Sequence, residues 1–483
     1  MIDEATLDTL TRRGSLIGEE VRESGSWTEV RDPSDGSVLG SVHAASVEDC
    51  FDAVEAAAAA AASWARTAPR ERGELLRRAY EVMTERHEAL SLLVSLENGK
   101  AIGDARAEVS YAAEFFRWFS EEAVRIGGEL RTAPAGDKRI MTTKHPVGVS
   151  VLITPWNFPA AMATRKIGPA LAAGCTVVVK PASETPLTTY AVADILREVG
   201  VPDGVVNVVT PESSSRGVKA MMAHPAVQAI SFTGSTEVGA ILLEQAAPRV
   251  LRCSMELGGN APLIVFDDAD LDVAVEGAFI AKMRNGGASC ISANRIYVHE
   301  GIKDRFVAGL AARMAGMKLG RGIEPTTTLG AMVSEGERER VAGLVAEALA
   351  RGATRVTGGE PPDGEGYYYP ATVLDNVDPA SEMLSTEIFG PVAPIIPFGD
   401  GDDVVAMANA TDTGLAGYVF SGDLARALRT AEALNVGIVG VNRGFVSDPA
   451  APFGGVKVSG LGREGAHEGI AEFLETKYIS VDW

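Results

Sequence analysis

The sequence predicts an α/β fold with more than one core, and three observations carry that expectation. At 483 residues the chain is too long for a single hydrophobic core. From Gly148 onward, short apolar runs alternate with helix-patterned stretches, which argues for a parallel sheet covered by helices on both faces. The composition, 46% hydrophobic and 23% charged, is that of an ordinary soluble globular protein.

Taken in order, Asp32-Pro33-Ser34-Asp35-Gly36 is a turn between two short strand-like runs. Ala, Leu, Glu and Arg dominate from about Val47 to Ser120, which reads as helices. The alanine run Ala56 to Ala62 lies inside that stretch and is far too short to span a membrane. Phe115, Phe116, Trp118 and Phe119 form an aromatic cluster whose expected role is core packing. The helical pattern is lost from Gly127 to Thr143, where a projecting hairpin is expected.

Beyond Gly148 the expected strands are Val149 to Ile153, Cys175 to Lys180, Val205 to Val209 and Ala229 to Phe232. Helices follow the first strand (through Leu171) and the second (Pro186 to Val199). A second αβ region starts near Asn260, with strands at Leu263–Phe266, Arg295–Val298 and Val392 to Pro397. Gly358 to Tyr369 is a loop, and Ala451 to Glu464 is unusually rich in glycine.

The net charge of −21 argues against non-specific nucleic-acid binding, which needs Lys and Arg to neutralise phosphates. It leaves room for a small anionic ligand bound by a local arginine pair. Cys50, Cys175, Cys253 and Cys290 are widely spaced without a CxxC pair, so neither a zinc site nor a disulfide framework is expected. The six histidines lack metal-ligand spacing, so no metal is assigned. The start, Met1-Ile2-Asp3-Glu4, is acidic and unlike a signal peptide, and the expected location is the cytoplasm with no membrane partner.

Three motifs carry chemistry. Cys290 follows Asn285-Gly286-Gly287, a glycine pair expected to let backbone pass close to a ligand. Glu256 precedes Leu257-Gly258-Gly259, and Asn157 lies in Pro155-Trp156-Asn157-Phe158-Pro159. A nucleophile, a base and an oxyanion donor are the parts acyl chemistry needs. In this order and context they resemble the aldehyde dehydrogenase superfamily, from about Val30 to the C-terminus.

That resemblance implies a Rossmann-type dinucleotide-binding domain (residues 1–125 and 146–257) and an α/β catalytic domain (258–450). It also implies a small β element for oligomerisation (126–145 and 466–483) and a homodimer or homotetramer. It makes Cys290 the attacker of the aldehyde carbonyl, giving a thiohemiacetal and then a thioester. Asn157 and the Cys290 backbone N–H hold the oxyanion, and Glu256 is the general base. Trp156 and Lys180 would contact the adenosine half of NAD or NADP, and Gly234 and Ser235 the pyrophosphate. Leu257 would face the nicotinamide, Glu387 its ribose and Phe389 would pack beside it; Thr154 joins the cofactor residues.

Strictly NAD-using relatives often carry Glu where this chain has Ser183, and a serine beside Lys180 accepts a 2′-phosphate, so NADP should serve at least as well as NAD. Ala288 departs from the Gln of many relatives, and Ile291 and Ser292 leave no second thiol beside Cys290. Arg165, Arg284 and Ser447 match positions that hold the substrate carboxylate in succinate-semialdehyde dehydrogenases, and an arginine fork suits a carboxylate. Succinate semialdehyde is thus the expected substrate, with glutarate semialdehyde or another short aldehyde as the alternative. A cofactor-independent cysteine amidase or thioesterase, and a non-catalytic binding protein, are the readings from other classes.

Overall fold

The computed structural model describes residues 11–482. Its first large sheet has eight strands, and five central ones are parallel. Taken in chain order these five are Val149–Ile153, Val177–Lys180, Val206–Val208, Val227–Thr233 and Arg252–Glu256. In space they run third, second, first, fourth, fifth, so the order reverses between Val149–Ile153 and Val227–Thr233. A crevice opens outside the carboxyl ends of strands at such a reversal, the habitual place for a dinucleotide. Short antiparallel strands close both edges: Gly460–Leu461 on one side, Ser15–Ile17 and Glu20–Arg22 on the other.

The second large sheet has seven strands, from Thr354–Thr357 at one edge to Ile438–Val441 at the other. Ala261–Val265, Ala293–His299, Val392–Phe398 and Ala416–Phe420 form its parallel centre. Every one of these central residues but His299 and Pro397 is buried, which is why the sequence reads there as continuous apolar runs rather than alternating ones. Where a strand was expected from Cys175, it begins at Val177; Gly174 is left-handed and closes the preceding helix, leaving Cys175 in the connection.

Four helices, Val47–Arg66, Pro69–Glu85, His87–Asn98 and Ile102–Glu122, occupy the stretch read as helical. Ser46 and Asp49 form a capping box that starts the first. Phe115, Phe116 and Phe119 are fully buried, while Trp118 packs against the same core from a partly buried position. They receive helix Pro159–Ala173, all fifteen residues of which are buried. That helix carries Arg165 and Lys166 into the interior, so their charges must find partners there.

Residues read as a hairpin form Glu129–Thr132 and Arg139–Pro146, and Leu474–Val481 pairs with the second over eight residues. The short helix Ala466–Ala471 packs instead on helices Ile102–Glu122 and Pro159–Ala173. Among the described residues no helix is long and apolar enough to cross a membrane, and no cluster of metal-ligating side chains occurs.

Candidate active site

Where the two large sheets meet, three loops converge. The first leaves strand Val149–Ile153 and contains Asn157, whose backbone carbonyl accepts from Lys100 Nζ at 2.6 Å and Asn285 Nδ2 at 2.9 Å. Asn157 Nδ2 donates to the Ala288 carbonyl at 3.1 Å, leaving its second N–H free. A second loop follows helix Leu271–Met283, where Asn285, Gly286 and Gly287 are all left-handed (φ 58°, 61° and 80°) and turn the chain toward Cys290. The third follows strand Arg252–Glu256, putting Glu256 at its end and Gly258-Gly259 beyond.

Glycine here serves close backbone packing. A Cβ on Gly259 would collide with the Cys290 carbonyl oxygen, so this residue sets how near the Glu256 strand comes to the nucleophile. The glycine pair before Cys290 works differently from the sequence expectation. A Cβ on Gly287 would strike the Gly390 carbonyl and one on Gly286 would crowd Leu329, so the pair accommodates protein rather than ligand.

A cavity of about 270 Å³ opens between these loops. Cys290, Glu256 and Asn157 line it together. So do Arg165, Arg284 and Ser447 of the expected substrate set, and Trp156, Gly234, Ser235, Leu257, Glu387 and Phe389 of the expected cofactor set. Thr154, Lys180 and Ser183 do not line it. Thr154 and Lys180 stand just beyond, at adjacent strand ends joined by the Thr154 N–H to the Lys180 carbonyl (3.2 Å), and Ser183 lies exposed in the following turn.

Burial governs the ionisation of this site. It pushes the Cys290 thiol up to about 12, with the Glu387 charge acting the same way and Arg165 opposing, so the resting group is the thiol. Glu256 is held well above the ordinary carboxylate range, by burial first and then by the like charge of Glu464. Neither of its buried oxygens has a hydrogen-bond partner, as suits a group waiting to take a proton. Burial also raises Glu387 to about 8, against the Gly259 N–H it accepts at 3.2 Å.

The two arginines differ. Arg165 Nε pairs with Glu464, which also accepts from Lys166 Nζ at 2.5 Å. Burial penalises the Glu464 charge, but the two cations outweigh it and hold its pKa below the usual value. Part of Arg165 is therefore committed to the protein; its buried Nη2 has no hydrogen-bond partner and its guanidinium stacks 3.9 Å from the Phe453 ring centre. Arg284 donates Nη1 to Ser447 Oγ at 2.8 Å and lies among Phe445, Phe158 and Tyr111, at 4.8, 5.1 and 5.6 Å from their centres. No carboxylate of the described residues is within ion-pair reach of it.

The cavity wall includes further residues that the sequence reading did not assign to the site, among them Tyr111, Phe453, Glu337 and Arg340. Glu337 and Arg340 form an i, i+3 ion pair near the start of helix Glu335–Ala350. Arg340 further donates to the carbonyls of Glu387 and Ile388, both at 2.9 Å, next to the left-handed Phe389 (φ 53°). That clamp sets Phe389 edge-on to Trp156, ring centres 5.2 Å apart.

A dinucleotide fits the crevice at the strand-order reversal. Gly234 and Ser235 line the cavity at the start of helix Thr236–Ala246, which Ser235 caps, and a helix N-terminus favours a phosphate. The buried hydroxyls of Thr154 and Thr233 at the two strand ends lack partners.

The pattern of the aldehyde dehydrogenase family matches residues 21–479. The chain belongs to the aldehyde dehydrogenase family. It is 51% identical over 444 residues to a succinate-semialdehyde dehydrogenase of Paenarthrobacter nicotinovorans, covering 92% of this chain and 99% of that one. It is 45% identical over 457 residues to a glutarate-semialdehyde dehydrogenase of Pseudomonas aeruginosa (95% and 94% covered). A crystal structure of an NADP-dependent enzyme of Escherichia coli superposes with a TM-score of 0.96 at 45% identity (98% and 99% covered). The protein is an NAD(P)-dependent aldehyde dehydrogenase, and the amidase, thioesterase and non-catalytic readings fall with that assignment.

The raised thiol pKa has a measurable consequence. Iodoacetamide alkylation of Cys290 in the cofactor-free aldehyde dehydrogenase should accelerate about tenfold per pH unit from about pH 7 to 9, following the thiolate fraction. A rate that levels off below about pH 8 would show that the surroundings acidify the thiol instead.

Proposed function

We propose that this aldehyde dehydrogenase oxidises succinate semialdehyde, and the observation that carries the reading is the unpaired, aromatic-framed Arg284 guanidinium facing the cavity. A part-buried arginine framed by aromatic rings is complementary to an anion, and its planar fork matches a carboxylate. Ser447 orients one of its nitrogens, and the free Nη2 of Arg165 points to a second donor on the same side. Glutarate semialdehyde, one methylene longer, is the second reading, supported by the likeness to the Pseudomonas aeruginosa enzyme.

In the proposed mechanism Arg284 holds the far carboxylate and so places the aldehyde carbon over Cys290. Glu256 takes the thiol proton as sulfur attacks. The carbonyl oxygen gains charge and is held by the second N–H of Asn157 Nδ2 and the Cys290 backbone N–H. The bound nicotinamide supplies the hydride acceptor. Once Glu256 has passed that proton to solvent, it takes a proton from the water that attacks the Cys290 thioester; the sulfur leaves as the thiolate, is reprotonated, and the acid is released. Cys290 stays a protected thiol until substrate arrives, because burial disfavours its free thiolate.

For the cofactor, the first sheet would form the dinucleotide-binding domain and the second the catalytic domain. Trp156, Lys180, Gly234 and Ser235 would hold the adenosine diphosphate half, and Leu257, Glu387 and Phe389 the nicotinamide half. Ser183 is exposed beside Lys180 and bears no charge of its own to repel a 2′-phosphate, which supports NADP use at least equal to NAD. The three-stranded sheet, with exposed Leu130 and Tyr478, would serve a homodimer or homotetramer.

Covalent catalysis is tested by two substitutions. Cys290→Ala should abolish aldehyde oxidation while cofactor still binds, read by titration of nicotinamide fluorescence. Glu256→Gln should give a burst of reduced cofactor followed by a stall, as a thioester accumulates.

Substrate class is tested by Arg284→Ala. A charge-assisted hydrogen bond contributes roughly 1.5–3 kcal/mol, so KM for succinate semialdehyde should rise about ten- to hundredfold. Butanal, which lacks the carboxylate, should be affected far less; equal damage to both substrates would remove the assignment. Arg165 is a poorer probe, because its loss also strips a partner from buried Glu464.

Cofactor choice is tested by Ser183→Glu, which should lower kcat/KM for NADP much more than for NAD. Equal effects on both would show that Ser183 does not sense the phosphate.

A further inference from the structure

Behind the Asn157 loop lies a buried ion pair, Lys100 and Glu108, that does not line the active-site cavity; Lys100 borders a much smaller cavity beside it. Lys100 follows the left-handed Gly99 that ends helix His87–Asn98, and it is 4% exposed. Its Nζ lies 2.6 Å from Glu108 Oε2 and 2.6 Å from the Asn157 carbonyl oxygen, and 4.6 Å from the centre of the Phe158 ring. The other Glu108 oxygen accepts the N–H groups of Ala160 (2.8 Å) and Ala161 (3.4 Å), at the start of helix Pro159–Ala173. The pair therefore grips the oxyanion loop at its carbonyl, at its neighbouring ring and at the helix it leads into.

The same carbonyl is the hinge of a second grip. Asn285 Nδ2 donates to it at 2.9 Å and also to the Ala288 carbonyl at 2.9 Å, which in turn accepts from Asn157 Nδ2 at 3.1 Å. This closes a ring of hydrogen bonds between the Asn157 loop and the Cys290 loop. Asp104 adds a hold on the Asn285 N–H at 3.3 Å. A carbonyl held by an ammonium group from one side and an amide from the other has little freedom to turn.

We propose that Lys100, with Glu108 as its counter-ion, is a positioning residue that fixes the Asn157 amide against the Cys290 loop. The proposal rests on the reading of Asn157 as the oxyanion donor. Such a donor acts only if it is already aimed where charge will develop, and small displacements are costly in rate. A buried ion pair gains little stability over well-packed apolar residues. Here its placement serves geometry: a compact cation supplies donors to Glu108 and to the Asn157 carbonyl at once.

The test exchanges the pair for neutral groups of similar shape, Lys100→Met with Glu108→Gln, so that neither member of the pair is left as a lone buried charge. The variant is made in the wild-type and in the Asn157→Ala background. In the wild-type background kcat/KM for the aldehyde should fall about tenfold or more, while the Kd for the cofactor changes less than about twofold. In the Asn157→Ala background the same exchange should change the residual rate by less than about twofold, since the group acted on is gone. Equal losses in both backgrounds, or no loss in the first, would overturn the proposal. Asn157→Ala alone reads out the oxyanion assignment separately: it should cost about 10²–10³ in kcat, and undiminished activity would remove that assignment instead.

Discussion

The site depends on the near-contact of two backbones. Strand Arg252–Glu256 belongs to one sheet and the Cys290 loop leads into the other, and they meet where Gly259 has no side chain. Base and nucleophile are thus held by a backbone approach that only a glycine permits. A second such approach, Gly287 against the Gly390 carbonyl, ties the nucleophile loop to the segment bearing Glu387 and Phe389. Packing of this kind tolerates no added methyl group without backbone movement.

Around that contact the protein gathers more buried charge than a core can ordinarily hold. Arg165 and Lys166 arrive on a wholly buried helix, and Glu464 answers both. The arrangement leaves Glu256 beside a carboxylate that stays ionised, so the proton affinity of the base is raised by its neighbour as well as by burial. Lys100 and Glu108 make a second compensated pair a few residues away in space. Paired charges can be buried, and a carboxylate left without a cation of its own becomes the one ready to change protonation state.

Much of this was legible in the sequence, for physical reasons. The parallel sheets announced themselves because strands buried on both faces are continuous apolar runs. Cys290, Glu256 and Asn157 stand out because each reactive type sits beside turn-forming residues, Gly-Gly or flanking prolines, which mark the ends of elements. What could not be read were partnerships across long stretches of chain. Lys166 meets Glu464 and Arg340 meets the carbonyl of Glu387 with no local pattern to signal either. Tyr111 and Lys100 lie on or after ordinary helices and acquire meaning only from what the fold sets opposite them. The glycine pair before Cys290 is legible as a turn, but the protein atoms it packs against, Leu329 and the Gly390 carbonyl, are not, since φ preference is local and the atom in the way is not.

The Glu464 contact also orders the molecule in time. The carboxylate that answers Arg165 and Lys166 is 298 residues away from Lys166, just ahead of the helix and strand that dock the tail. During synthesis the nucleophile, the base and the oxyanion loop all emerge first, and domains fold as they emerge. Until the tail arrives, the two cations on the buried helix have no counter-charge from Glu464. Closing so long a loop is slow relative to forming local helices. The charges carried by this buried helix are therefore answered only by a segment made long after it.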